Sequence, residues 1–417
     1  MELLKGAAIV GQSGGPTAAI NATLAGVVRG VLGASGTITK LYGMRNGIEG
    51  FLADRLIDLG EIFAGENGGA DEDKLALLTQ TPGAALGSCR RKLPDPDLEP
   101  EFYESMIERF REKDIRYFFY IGGNDSMDTA EKLSRYMAHS DWEIRVIGLP
   151  KTVDNDLPVT DHAPGYGSAA KVIATEVQEI IRDCAVYVVP AVTIVEIMGR
   201  DAGWMTAATA LGRAAGGHAP DLVYLPEVDF SMEQFMTDVR TLFSRKPNLV
   251  IAVSEGIHFA DGTYVGETDQ NHVTDVFGHR YLAGAGKTLE RAVKEAFGCK
   301  VRAVELSLPQ RCSAHCASLT DLTESAAAGK AGVEAALRGE TARMVTILRK
   351  PGGEYGVTYG TVPLSEIANC ERRVPLEFIN PDGNNVTDEC LRYLLPLIQG
   401  EPEIIRRNGL PAHFVFD

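Results

Sequence analysis

The segment Pro150-Lys151-Thr152-Val153-Asp154-Asn155-Asp156 sets two carboxylates two positions apart, beside one hydroxyl and one cation. One carboxylate of such a pair can take a proton from an attacking hydroxyl, and the second can bind magnesium. Phosphoryl transfer needs this positioning and charge neutralisation more than it needs covalent chemistry. The segment directly follows the apolar run Ile144 to Leu149, which reads as a buried parallel strand. Open α/β sheets bind their ligands at the carboxyl ends of strands. The competing reading is an Asx-rich turn without chemistry, since Asp and Asn are common turn residues.

Two more loops have the same placement. Gly11-Gln12-Ser13-Gly14-Gly15-Pro16 follows a first strand and opens a helix. Its glycines let backbone N–H groups approach a phosphate. A tight turn without a ligand explains it as well. Gly122-Gly123-Asn124-Asp125-Ser126 follows a second buried strand. There the competing reading is a helix capped by Asp125 or Ser126. Three such loops in one sheet imply one crevice. Arg90, Arg91, Arg200, Arg302 and Arg311 lie near expected strand ends, and arginine forks match phosphate oxygens.

Other motifs are set aside. Gly284-Ala285-Gly286-Lys287-Thr288 lacks the earlier Gly of a Walker loop, because that position is Tyr281, and it reads as a helix start. Cys312, His315 and Cys316 lack a second pair at zinc spacing.

Elements that position these loops follow from periodicity. Strands are expected at 7–10, 115–121, 144–149, 192–198, 249–253 and 301–306, with helices at 17–32, 129–137 and 168–182. Alternation of this kind predicts parallel sheets with right-handed crossovers. Residues 71–100 read as an irregular excursion, and 261–285 as a surface insertion. A chain of 417 residues is long for one core, so two domains are expected. The net charge of -16 disfavours nucleic acid and acidic membranes as partners. No apolar run approaches bilayer length, the N-terminus lacks a signal-peptide layout, and seven cysteines form no paired framework; a cytoplasmic location is expected.

Together these residues resemble the phosphofructokinase family, from about residue 5 to about residue 380 and in the family's motif order. The resemblance implies two doubly wound, Rossmann-like α/β domains with the active site in the cleft between them. It places 1–165 and 312–362 in a larger donor domain, and 166–311 and 363–417 in a sugar-phosphate domain. It implies magnesium and transfer to the 1-hydroxyl of fructose 6-phosphate. Asp154 resembles the base, and Thr152 the group on the transferring phosphoryl. Asp156 resembles the second acid and, with Asp125, the metal-binding pair. Gly14, Gly15, Arg90, Asn124, Asp125 and Lys151 match the donor side. Met198, Gly199 and Arg200 match the sugar-phosphate loop, with Arg200 able to stabilise transition-state charge. Glu255 matches the acid on the sugar hydroxyls. Arg302 and Arg311 keep the spacing of the two arginines on the 6-phosphate. One of these usually comes from a neighbouring subunit, which implies a homodimer or homotetramer.

Asp125 and Lys151 stand where the ATP-using branch has glycines. That is the pattern of the pyrophosphate-dependent branch. A carboxylate adds bulk and repels a nucleotide α-phosphate, while a cation neutralises a phosphate leaving group. The expected reaction is a reversible one that yields fructose 1,6-bisphosphate and phosphate. The alternatives are an ATP-dependent kinase and a silent sugar-phosphate-binding regulatory subunit. Three positions depart from the ATP branch. Asn124 replaces a magnesium-binding Asp, Leu308 a His of the 6-phosphate motif, and Ala191 an Arg that reaches a neighbouring subunit.

Overall fold

The computed structural model describes residues 4–66, 68–266 and 284–416. A seven-stranded sheet has the order β11-β10-β5-β4-β1-β2-β3. Its strands are β1 (Gly6–Gln12), β2 (Ile38–Met44), β3 (Leu56–Asp58), β4 (Ile115–Gly122), β5 (Arg145–Pro150), β10 (Arg343–Arg349) and β11 (Val357–Pro363). The inner strands run parallel; β3 and β11 close the two edges antiparallel. Helices cover both faces, so β1 and β4 are buried almost end to end. That is why they read as continuous apolar runs rather than alternating ones. A second sheet, β7-β8-β6-β9, is wholly parallel. It comprises β6 (Ala191–Ile197), β7 (Leu222–Tyr224), β8 (Asn248–Ser254) and β9 (Lys300–Glu305). The expected architecture of two doubly wound α/β sheets is present.

Strand order reverses beside β1, with β2 on one side and β4 on the other. A reversal of this kind opens a crevice at the carboxyl ends of the strands. The loops after β1 and β4 flank it, and the loop after β5 lies next to them. Helix Ile20–Leu32 lies against helix Leu319–Leu337 over this sheet. Gly329 allows the close approach, since a Cβ there would stand 2.1 Å from the Thr23 carbonyl oxygen.

Several expectations need correction. Helix 17–32 begins only at Ile20. The helix expected at 129–137 begins at Asn124, with Gly123 at its cap and no side-chain capping bond. Neither Asp125 nor Ser126 is the cap; both sit in the first helical turn. Segment 71–100 contains a helix, Glu72–Thr79, capped by the Asp71 carboxylate. Gly284 caps helix Ala285–Phe297, in line with the helix-start reading. Most of the insertion expected at 261–285 lies outside the described residues.

The C-terminal segment divides. Val374, Ile379, Val386 and Leu391 join the core around β6 and helix Tyr166–Cys184. The last residues do not pack onto the second sheet, contrary to expectation. Phe414 and Phe416 pack on Phe63 beside the first sheet. The Gln80 amide donates to the carbonyls of Ile405 and Ala412. Mutual burial of three aromatic rings there outweighs chain continuity.

Candidate active site

The loop after β5 is fixed at its root. Lys151 N–H donates to the Gly122 carbonyl of β4 at 2.9 Å, continuing the ladder. Lys151 Nζ donates to the Gly15 carbonyl at 2.6 Å, which ties this loop to the glycine turn after β1. Thr152 Oγ1 accepts the Asp154 N–H at 3.1 Å. Asn155 has φ 54°, a left-handed conformation that Asn tolerates better than most residues. Its Oδ1 accepts the Ala163 N–H at 2.9 Å, which holds the reversal. The acids on either side of it, Asp154 and Asp156, line the same cavity.

That cavity, about 430 Å³, lies between the two sheets. From the first sheet come Gly14 and Gly15 after β1, Asn124 and Asp125 after β4, and Lys151, Thr152, Asp154 and Asp156 after β5. Arg90 reaches it from the loop before helix Pro100–Glu112. From the second sheet come Met198, Gly199 and Arg200 after β6, Glu255 after β8 and Arg311 after β9. Arg91 instead lies over the Phe102 ring. Arg302 is exposed on the edge strand β9 and does not line the cavity. Leu308 is also exposed and does not line the cavity. Neighbouring Gln310 is buried, and its Oε1 accepts the Met198 N–H at 3.2 Å.

The second-sheet loops are equally constrained. Ser254 Oγ donates to the Gly199 carbonyl at 2.5 Å, and Glu255 Oε1 accepts the Gly199 N–H at 3.2 Å. Gly256 must be Gly, because a Cβ there would stand 1.6 Å from the Arg200 carbonyl oxygen.

Burial dominates the electrostatics. It pushes the Asp154 carboxyl above its ordinary range, against the pull of Lys151, Arg200 and Arg311. Burial, then the like charge of Asp154, lifts Asp156 to about 6. Two acids this close titrate as a pair. Burial also lifts Glu255 to about 7, with the Gly199 N–H opposing the shift. Burial lowers Lys151 to about 8, although both aspartates favour its charge. A pocket that mixes displaced acids and cations in this way suits proton transfer next to an anionic ligand.

Asp156 Oδ1 is buried without a hydrogen-bond partner, and Arg200 Nε likewise. Among the described residues no group of three or more His, Cys, Asp or Glu gathers as a complete metal cage. Magnesium is usually held by one or two carboxylates together with substrate phosphates. The unpartnered Asp156 oxygen fits that mode. Asp125 pairs with Lys92 at 3.4 Å and stays partly exposed. Asn124 faces other work: its Nδ2 donates to the Cys370 carbonyl at 2.5 Å, and its Oδ1 accepts the Asn369 N–H at 2.6 Å.

Reading the sequence misses Lys92, Asp201, Asn369 and Glu371, which also line the cavity, as does Ser126 after β4. Asp201 adjoins the Met198-Gly199-Arg200 motif, and adjacency is the only signal it has. Asn369 and Glu371 sit in a segment without regular structure and reach the cavity only through the fold.

Carboxylates able to accept a proton, arginines for anions and a glycine turn, gathered mainly at strand ends between two α/β sheets, define a two-domain phosphoryl transferase. The phosphofructokinase family model matches residues 7–335, and the chain belongs to that family. A pyrophosphate–fructose 6-phosphate 1-phosphotransferase of Halomonas elongata is 42% identical, with 97% of this chain and 94% of that protein aligned. The enzyme of the same name from Methylococcus capsulatus is 40% identical over the same shares. The crystal structure of a pyrophosphate-dependent phosphofructokinase from Nitrosospira multiformis superposes with a TM-score of 0.87 at 37% identity, covering 98% of this chain and 96% of that one.

Proposed function

We propose that the protein reversibly transfers a phosphoryl group from pyrophosphate to the 1-hydroxyl of fructose 6-phosphate, giving fructose 1,6-bisphosphate and phosphate in glycolysis and gluconeogenesis. The observation that carries the donor choice is Lys151. It is buried, lines the cavity and is anchored on the Gly15 carbonyl near the end of the donor-side glycine turn. A nucleotide's α-phosphate and sugar would have to pass Asp125, while pyrophosphate ends in a phosphate that Lys151 neutralises. The full-length relatives carrying this name support the same reading.

In this reading Asp154 accepts the 1-hydroxyl proton as the oxygen attacks the phosphoryl group. Thr152 donates to the moving group. Arg200 neutralises charge that grows in the transition state. Gly14, Gly15, Arg90, Asn124 and Asp125 frame the donor. Met198, Gly199 and Glu255 hold the sugar, and Arg311 holds its 6-phosphate. Magnesium, held by Asp156 and Asp125 with the donor phosphates, would supply charge neutralisation. The protein acts as a homo-oligomer in which Arg302 serves the neighbouring subunit's sugar phosphate. Its exposure on β9 supports this, as do Val186, Tyr187, Val188 and Val189, four consecutive apolar residues each more than half exposed. No described helix is long and apolar enough to cross a membrane, in keeping with work in the cytoplasm. The proposed division is a donor domain of 1–165 and 312–362 and a sugar-phosphate domain of 166–311 with part of 363–417; the strands at 6–150 and 343–363 in one sheet and 191–305 in the other support it.

A coupled assay with each donor tests the reading. Turnover with pyrophosphate and little with ATP is expected; robust ATP turnover with none from pyrophosphate would sink it.

A further inference from the structure

We propose that residues 369–374 form a strap that holds the base loop in register with the sugar loop, and that Arg372 is its positioning residue. The inference rests on the assignment of Asp154 as base, and it concerns a segment to which no chemistry has been given. The strap has no regular secondary structure, yet it touches all three parts of the site. At its start it is bound to Asn124 in the donor helix through the Asn369 N–H (2.6 Å) and the Cys370 carbonyl (2.5 Å). In its middle, Arg372 N–H donates to the Asp156 carbonyl at 2.7 Å. The Arg372 guanidinium donates to the carbonyls of Asn155 at 3.1 Å, Thr160 at 2.9 Å and Asp161 at 2.6 Å. At its end it turns to the second sheet. Trp204 Nε1 donates to the Arg372 carbonyl at 3.2 Å, and the guanidinium lies 4.7 Å from the Trp204 ring centre. Glu227 Oε1 then accepts both the Val374 N–H at 2.9 Å and the Gly203 N–H at 2.8 Å.

One side chain thus gathers the carbonyls around the left-handed turn at Asn155 and presses that turn toward Trp204. Trp204 begins the helix that directly follows Met198-Gly199-Arg200. The base sits on one side of this joint and the sugar loop on the other. Slack in the joint would change the distance from Asp154 to the sugar hydroxyl and leave the donor turn at Gly14 and Gly15 in place. Reacting groups misplaced by about 1 Å can lose about a hundredfold in rate.

The test is steady-state kinetics of Arg372→Ala and Arg372→Lys in the full chain, with circular dichroism as a check of folding. For Arg372→Ala, kcat is expected to fall about a hundredfold while KM for the donor stays within about threefold. Arg372→Lys keeps a cation near Trp204 and one donor, so kcat about tenfold below the parent is expected. Millimolar guanidinium ion should raise kcat of Arg372→Ala and leave the parent unchanged. A folded Arg372→Ala with near-parental kcat would overturn the proposal. So would equal rises in both KM values without guanidinium rescue. If Arg372→Ala does not fold, Arg372→Lys decides: parental kcat there overturns the strap, and a tenfold loss at constant donor KM supports it. A wrong donor assignment would show in the parent protein alone, before any variant is compared.

Discussion

Lys151 carries two signatures that can be measured separately. Its folded value of about 8 lies below the ordinary 10.5, so the stability it contributes is present above 10.5 and is lost as pH falls through about 8. At neutral pH the buried ammonium therefore costs roughly 3 kcal/mol. Lys151→Met should raise the thermal midpoint at pH 7 by several degrees, read by calorimetry. The same variant should lose about a hundredfold in kcat/KM for pyrophosphate, as expected when one charge-stabilising donor is removed. Asp156 has the opposite sign. Its folded value of about 6 lies above 3.8, so its contribution is present below 3.8 and is lost as pH rises through about 6. The pH profile of kcat/KM should then be bell-shaped, with an acid limb raised above the ordinary carboxylate range by the burial of Asp154 and an alkaline limb near 8 from Lys151. The alkaline limb should vanish from the residual activity of Lys151→Met. Asp154→Asn should cut kcat by about 10² to 10⁴ with the fold intact, measured by stopped assay and circular dichroism. At this scale the sequence was most readable where a charge stands in place of a glycine, as at Asp125 and Lys151. It was unreadable at Asn124, whose amide serves a segment far along the chain.

Among the elements, most loops of the cavity leave the carboxyl end of a strand, and the strands are anchored by burial rather than by the loops. The apolar runs of β1, β4, β5, β6 and β8 were therefore legible in sequence to within a residue or two at their ends. The antiparallel edges β3 and β11 were not, since an edge strand has an exposed side and no continuous apolar run: no residue of β3 is buried, and Thr358 of β11 is exposed. The start of helix Asn124–Met137 was misplaced because a glycine cap leaves no side-chain signature. The turn after β8 offers a test at this level. Gly256→Ala would drive a methyl group into the Arg200 carbonyl oxygen. KM for fructose 6-phosphate should rise at least about tenfold while KM for the donor changes little. A parental sugar KM would show that the loop after β6 can shift without consequence.

Across the whole molecule, the site draws on both sheets and, as proposed, on a second copy. That gives a complementation experiment. Arg302→Ala and Asp154→Asn proteins should each be nearly inactive alone. After mixing and subunit exchange, activity should return, because a hybrid contains sites with an intact base and an intact partner arginine. No recovery would place Arg302 in its own subunit's service or in none. Val188→Asp, at a residue 89% exposed, should lower the apparent mass in light scattering and raise KM for fructose 6-phosphate. The discontinuous layout was legible only through family resemblance. Composition does not reveal that β10 and β11 return to the first sheet after the whole second sheet has been built. The final aromatic residues escaped prediction because they are paired with Phe63, far away in sequence.

The bond between Asn124 and Cys370 has a consequence for the protein's birth. The ribosome makes chains from the amino end, and every residue assigned to chemistry lies before position 312. A nascent chain that has passed Pro363 holds every strand of both sheets, with the base, the donor turn and the sugar loop, and still lacks the piece that joins them. If the strap acts as proposed, the emerging enzyme stays silent until residue 374 has left the exit tunnel. A chain cut short before that point would lack the strap and, with it, the Ile379, Val386 and Leu391 layer of the second core, and would be idle.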